Sequence, residues 1–145
     1  MKKYTRIFAL VFTLSVMLLT ACGSKKTYST VEEWYDDNPA LRTFINAGIE
    51  NAEESGDDLA MVIEDNTLIY SVVLEEKMFG ESEEMDTLYK QFFDESFEAE
   101  KDEYVSIIPD LADLSGIPES SISVKIEIYN PGESTPSYTK TFDEE

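Results

Sequence analysis

The chain carries one thiol, Cys22, no histidine, and 31 carboxylates among its 145 residues. Without an imidazole there is no ordinary general base, no commonest metal ligand, and no Ser-His-Asp or Cys-His pair. A single cysteine can build neither an internal disulfide nor a thiolate-ligated zinc site. Carboxylates alone can still do two things. A pair of them flanking a sugar can hydrolyse a glycosidic bond, and a cluster can hold a hard cation. Asp36-Asp37-Asn38 and Asp57-Asp58 supply oxygen ligands, but no D-x-[DN]-x-[DN]-G spacing occurs. That pattern fits loosely held surface cations better than a dedicated metal site. The six glycines stand alone at expected turns, so no phosphate-cradling loop exists and no cofactor is implied. No basic, aromatic-interleaved patch is present, so nucleic acid is not an expected partner.

The thiol has the most specific setting. Lys2, Lys3 and Arg6 give a positive start, and Ile7 to Leu19 is apolar apart from Thr13 and Ser15. Such a run is shorter than the roughly 20 residues that cross a hydrocarbon core as a helix, so it reads as a cleaved export signal. Residues 1–21 are that signal, with the cut between Ala21 and Cys22. An ordinary secretory cut wants small residues at both −1 and −3, whereas position −3 here is Leu19. The stretch Leu19-Thr20-Ala21-Cys22 resembles the lipobox of bacterial lipoproteins. The resemblance implies that Cys22 is acylated and becomes the first residue of the mature chain. Two acyl chains, at about 0.8 kcal/mol per buried methylene, are enough for stable anchoring. Residues 22–28 then read as a flexible tether, in which Lys25 and Lys26 can sit against anionic headgroups. In the full precursor residues 5–20 are expected to form a helix packed on nothing, which is absent from the mature protein.

Residues 29–145 are enough for one domain with a modest core. Without Lys2, Lys3 and Arg6, 31 acidic residues face 8 basic ones, a formal charge of −23. The acids are interleaved with apolar residues along the chain, which suits a solvated folded surface better than a disordered acidic tail. Such a field repels nucleic acid and anionic lipid. It favours a basic protein, a cationic peptide or divalent cations.

The apolar pattern sets the elements. Thr30 and Glu33 match a capping box ahead of Val31, Trp34 and Tyr35. Asn38-Pro39 interrupts, with Asn38 as a new N-cap and Pro39 at the first helical position. Leu41, Ile45, Gly48, Ile49 and Ala52 then share one helical face, and Gly56 ends the element. Leu59–Ile63 and Leu68–Leu74 flank Asp65-Asn66, which reads as a tight hairpin turn. That turn places Ile63 opposite Leu68, Met61 opposite Tyr70 and Leu59 opposite Val72. From about Glu83, Met85, Leu88, Tyr89, Phe92, Phe93, Phe97, Tyr104 and Ile108 make a broad aromatic stripe at helical spacing. Pro109 is expected to kink or stop this helix, and Gly116 to close a further turn in a left-handed cap with Ile117 packing back. Ile122, Val124, Ile126 and Ile128 alternate with polar residues as a strand. Asn130 to Ser134 turns the chain, and Tyr138 to Phe142 returns beside it.

The order helix, hairpin, helix, hairpin predicts a two-layer α+β domain: a four-stranded antiparallel sheet covered by two helices. With the lipobox ahead of it, this order resembles that of small Gram-positive lipoproteins carrying one domain of unknown function. The likeness spans about residues 28–143. It rests on Glu32-Glu33-Trp34, on Asp65-Asn66-Thr67-Leu68 and on the Gly116 to Ile128 exit into a strand. It implies a compartment, the outer face of the cytoplasmic membrane, and a fold, but no activity.

If both helices cover one face of the sheet, the other shows Val62, Ile69, Val73 and Tyr129 to solvent, and an apolar patch of that kind marks an interaction site. The expected function is therefore a membrane-anchored, extracytoplasmic, non-enzymatic binding module for a protein or peptide. An acidic surface that sequesters cationic peptides or divalent cations is one alternative. A carboxylate-only glycoside hydrolase acting near the cell wall is another.

Overall fold

The computed structural model describes residues 26–54 and 58–143. The export signal, the lipobox, Cys22 and Gly56 lie outside them. Five α-helical segments and four strands follow in order: α1 (Val31–Asp36), α2 (Pro39–Glu54), β1 (Asp58–Glu64), β2 (Thr67–Val73), α3 (Glu83–Ala99), α4 (Lys101–Val105), α5 (Ile107–Ser115), β3 (Ser123–Tyr129) and β4 (Tyr138–Asp143).

The helix starts follow local hydrogen bonding. Thr30 caps α1 by accepting from the Glu33 amide at 3.2 Å, and the Glu33 carboxylate reaches back to the Ser29 amide at 2.8 Å. This is a capping box whose return bond falls one residue early. Asn38 does not cap α2 through its side chain as expected. Its amide nitrogen donates to the Trp34 carbonyl at 2.6 Å and so closes α1, while its own carbonyl accepts from Leu41 and Arg42. The aromatic stripe is three helices rather than one. The chain breaks at Glu100 and again at Ser106, where no side chain caps the new start. Pro109 follows a stop in the helical stripe, α4 ending at Val105, the residue whose carbonyl the proline ring would meet and to which it cannot donate. It is the third residue of α5, within the first turn, where a missing N–H costs no intrahelical bond. Gly116 closes α5 at φ +76°, its amide donating to the Ala112 carbonyl at 2.8 Å, and Ile117 is buried behind it.

The sheet is four-stranded in the order β1-β2-β3-β4. The expected register of the first hairpin is the observed one, Ile63 against Leu68, Met61 against Tyr70 and Leu59 against Val72. Asp65 supplies the positive φ of the turn, +50°. The sheet is mixed rather than antiparallel throughout: β2 and β3 run parallel, with Thr67 beside Ser123 and Val73 beside Tyr129. The intervening helices carry the chain back along the sheet: Phe97 of α3 lies on Tyr138, beside the end of β3, and Tyr104 of α4 lies on Phe142, beside its start, so the chain re-enters the sheet at the end where β2 began. The turn residue Asn66 fixes that meeting point, accepting from Val31 through its side chain and from Ser123 through its carbonyl.

The core lies between the helices and one sheet face. Leu59, Met61, Ile63, Leu68, Tyr70, Val72, Val124, Ile126, Ile128, Tyr138 and Phe142 point into it. Phe93 and Phe97, one turn apart on α3, pack on Tyr138 of β4 with ring centroids 5.5 and 6.0 Å away. Tyr104 stacks on Phe142 at 4.9 Å. Leu88, expected in the stripe, is 53% exposed, because the helix face that packs on β4 is centred on Phe93.

Candidate functional site

The second sheet face is contributed by the alternate residues of every strand. Across β1, β2, β3 and β4 the rows read Ala60, Ser71, Glu127, Thr139 and Val62, Ile69, Lys125, Thr141. They are flanked by Glu64, Thr67, Ser123, Asp143 and by Asp58, Val73, Tyr129. None of these residues belongs to the core cluster.

Of the three residues read as an interaction face, Val62 is 46% exposed, Val73 is half-buried and Ile69 is buried at 7%. Val62 and Ile69 are direct cross-strand partners, so their side chains touch and Val62 shields one flank of Ile69. Lys125 is the partner of Ile69 on the other side. The apolar content is therefore a short stripe over β1 and β2, with hydroxyl-bearing Ser and Thr residues around it.

The centre of the face is polar and more ordered than its alternation suggested. Glu127 is only 9% exposed although it stands on the face away from the core. Lys125 meets its Oε1 at 2.6 Å and the Tyr129 hydroxyl donates to its Oε2 at 2.5 Å. Burial alone would raise the Glu127 carboxyl. The hydrogen bonds from Lys125, Tyr129 and Ser71 outweigh it and hold the group below the usual carboxylate range. The same bond to Glu127, helped by burial, pushes the Tyr129 phenol up. A carboxylate held ionised by three donors is a poor proton donor and a good fixed point. It locks Lys125 and Tyr129 in place along the central strand. Alternation along the strand puts all three on the outward phase and made only Tyr129 part of the expected interaction face; for Lys125 and Glu127 the Lys-x-Glu-x-Tyr spacing was the available signal.

Elsewhere the chemistry is thin. Asp37 is paired with Lys26 and Asp36 with Arg42 at 3.4 Å, while Asp57 lies outside the described residues. Among the described residues no group of three or more acids is placed to hold a metal ion. A crevice of about 10 Å³ between Trp34, Leu41, Ile45, Met61, Ile63 and Leu111 is apolar and holds at most one water-sized body. No helix among the described residues is long and apolar enough to cross a membrane.

Residues 31–142 match the family described as a domain of unknown function, DUF4854. No curated protein and no solved structure matches the chain.

Proposed function

The chain belongs to the DUF4854 family, a domain of unknown function, and on that premise we propose that it is a lipid-anchored, extracytoplasmic, non-enzymatic interaction module. It presents the outward sheet face to a protein or peptide partner on the outer side of the cytoplasmic membrane. The observation that carries this reading is the outward face itself, which no element among the described residues covers. Val62 and Ile69 form an apolar pair, with Val73 two residues along the strand beyond Ser71, beside a carboxylate, an ammonium and a phenol fixed to one another. An apolar centre with pre-ordered polar neighbours is the anatomy of a recognition patch, because little side-chain entropy remains to be lost on binding.

The anchor supports the same reading. The lipobox-like Leu19-Thr20-Ala21-Cys22 supplies Cys22 for acylation. Cys22 stands four residues before Lys26, a stretch that reaches about 14 Å at most. Lys26 is paired with Asp37 and Tyr28 packs on the core, so the tether joins the domain beside α1. The bilayer would then lie near the end of the sheet that carries the β1–β2 turn, with the broad face free to the side.

The test is capture from cell-surface extracts by wild type and by Val62→Glu, with thermal melts of both. Val62 is exposed, so the substitution leaves the fold intact. Loss of a captured band with an unchanged melt supports the reading. Identical capture by both proteins argues against this face.

A further inference from the structure

We propose that the free edge of β1 accepts an extended cationic peptide as an added antiparallel strand. The proposal rests on the binding-module reading above and names its partner class. The two-residue turn at Asp65-Asn66 makes Glu64 and Thr67 a hydrogen-bonded pair, and such pairs recur at Val62–Ile69, Ala60–Ser71 and Asp58–Val73. The amides and carbonyls of Leu59, Met61 and Ile63 therefore point away from β2. Since β1 is the first strand of the sheet, they point off its edge. Among the described residues no backbone group outside the strand bonds to them. The other edge is defended: on β4, Lys140 points inward to Asp94 and Glu98, and Tyr138 bonds Asp94 at 2.7 Å. β1 has no lysine or proline and carries five consecutive apolar residues, Leu59 to Ile63.

Charge selects the occupant. Both ends of β1, Asp58 and Glu64, are exposed acids on the outward face, about 20 Å apart. A second copy added antiparallel about Met61 would set Asp58 against Glu64 twice, in a chain that already repels itself. An incoming strand with cations at its first and seventh positions meets both acids. Its third and fifth side chains lie over Val62 and Ala60. Its second, fourth and sixth amides bond the free groups of Ile63, Met61 and Leu59.

The experiment uses the ¹⁵N-labelled full chain in detergent micelles and the probe acetyl-Lys-Thr-Val-Thr-Val-Thr-Lys-amide. One analogue is N-methylated at positions 2, 4 and 6, another at positions 3 and 5. Expected are shifts of the Leu59, Met61 and Ile63 amide signals, affinity at least about tenfold weaker for the 2,4,6 analogue, and no such loss for the 3,5 analogue. Equal binding by both analogues means charge attraction alone and overturns the proposal. So does a dimer in sedimentation that occupies this edge. Shifts centred on Ile69, Val73 and Tyr129, with residues 59–63 unmoved, overturn the edge and leave the face reading standing.

Discussion

Replacing Glu127 by Gln tests whether the outward face is a locked assembly. The carboxylate accepts from Lys125 at 2.6 Å and from Tyr129 at 2.5 Å, and its side chain is 12% exposed while that of Lys125 is 33% exposed. A glutamine keeps one acceptor for the Tyr129 hydroxyl but turns an NH₂ group toward an ammonium. A hydrogen bond to a charged group contributes about 1.5–3 kcal/mol, and the partial exposure of Lys125 reduces the share that is lost. The expected cost at pH 7 is about 1–2 kcal/mol, read by urea unfolding followed through the single, buried Trp34. The pH dependence gives a second handle. The folded carboxyl titrates below its unfolded value, so its stabilisation is present above the unfolded pKa and is lost as pH falls through the folded one. The gap between wild type and Glu127→Gln should thus shrink as pH falls below about 4.5, the ordinary glutamate value. A Lys125→Met background should remove most of the gap at pH 7. No loss at pH 7, or a loss that stays the same size as the pH is lowered until the carboxyl has titrated, would refute the assembly.

Three further substitutions probe the scaffold that holds the face. Asn130 is 2% exposed, accepts from the Met78 and Phe79 amides and donates to the Phe79 carbonyl, so Asn130→Ala should cost about 3 kcal/mol or more in chemical denaturation. The Tyr70 hydroxyl is fully buried and pairs with no described group. Tyr70→Phe should therefore raise the melting temperature, and a fall would reveal a partner for it. Gly116 has open space around it but stands at φ +76°, so Gly116→Ala should cost about 1 kcal/mol through backbone strain alone, which calorimetry can read.

What could be read from the residues was whatever depends on near neighbours. The Thr30–Glu33 cap, the hairpin register about Asp65-Asn66 and the left-handed Gly116 each need only a few residues to specify them. The parallel pairing of β2 with β3 was not legible, because it depends on how many times the intervening helices traverse the sheet. The break at Glu100 lacks a capping side chain and no local signal marks it, whereas the break at Ser106 lies where Pro109 cannot donate to the Val105 carbonyl. On the candidate face, the alternation of Lys125, Glu127 and Tyr129 was plain. Their mutual contacts were not, since side chains two apart on a strand meet only where a neighbouring strand leaves them room.

The whole account rests on a module held at the cell exterior by its first mature residue. The most direct measurement is the intact mass of the protein purified from its native membranes, with fragmentation of the N-terminal peptide. The account predicts a chain that begins at Cys22 and carries fatty acyl mass on that residue. A chain that retains residues 1–21, or begins at Cys22 with an unmodified thiol, would contradict it.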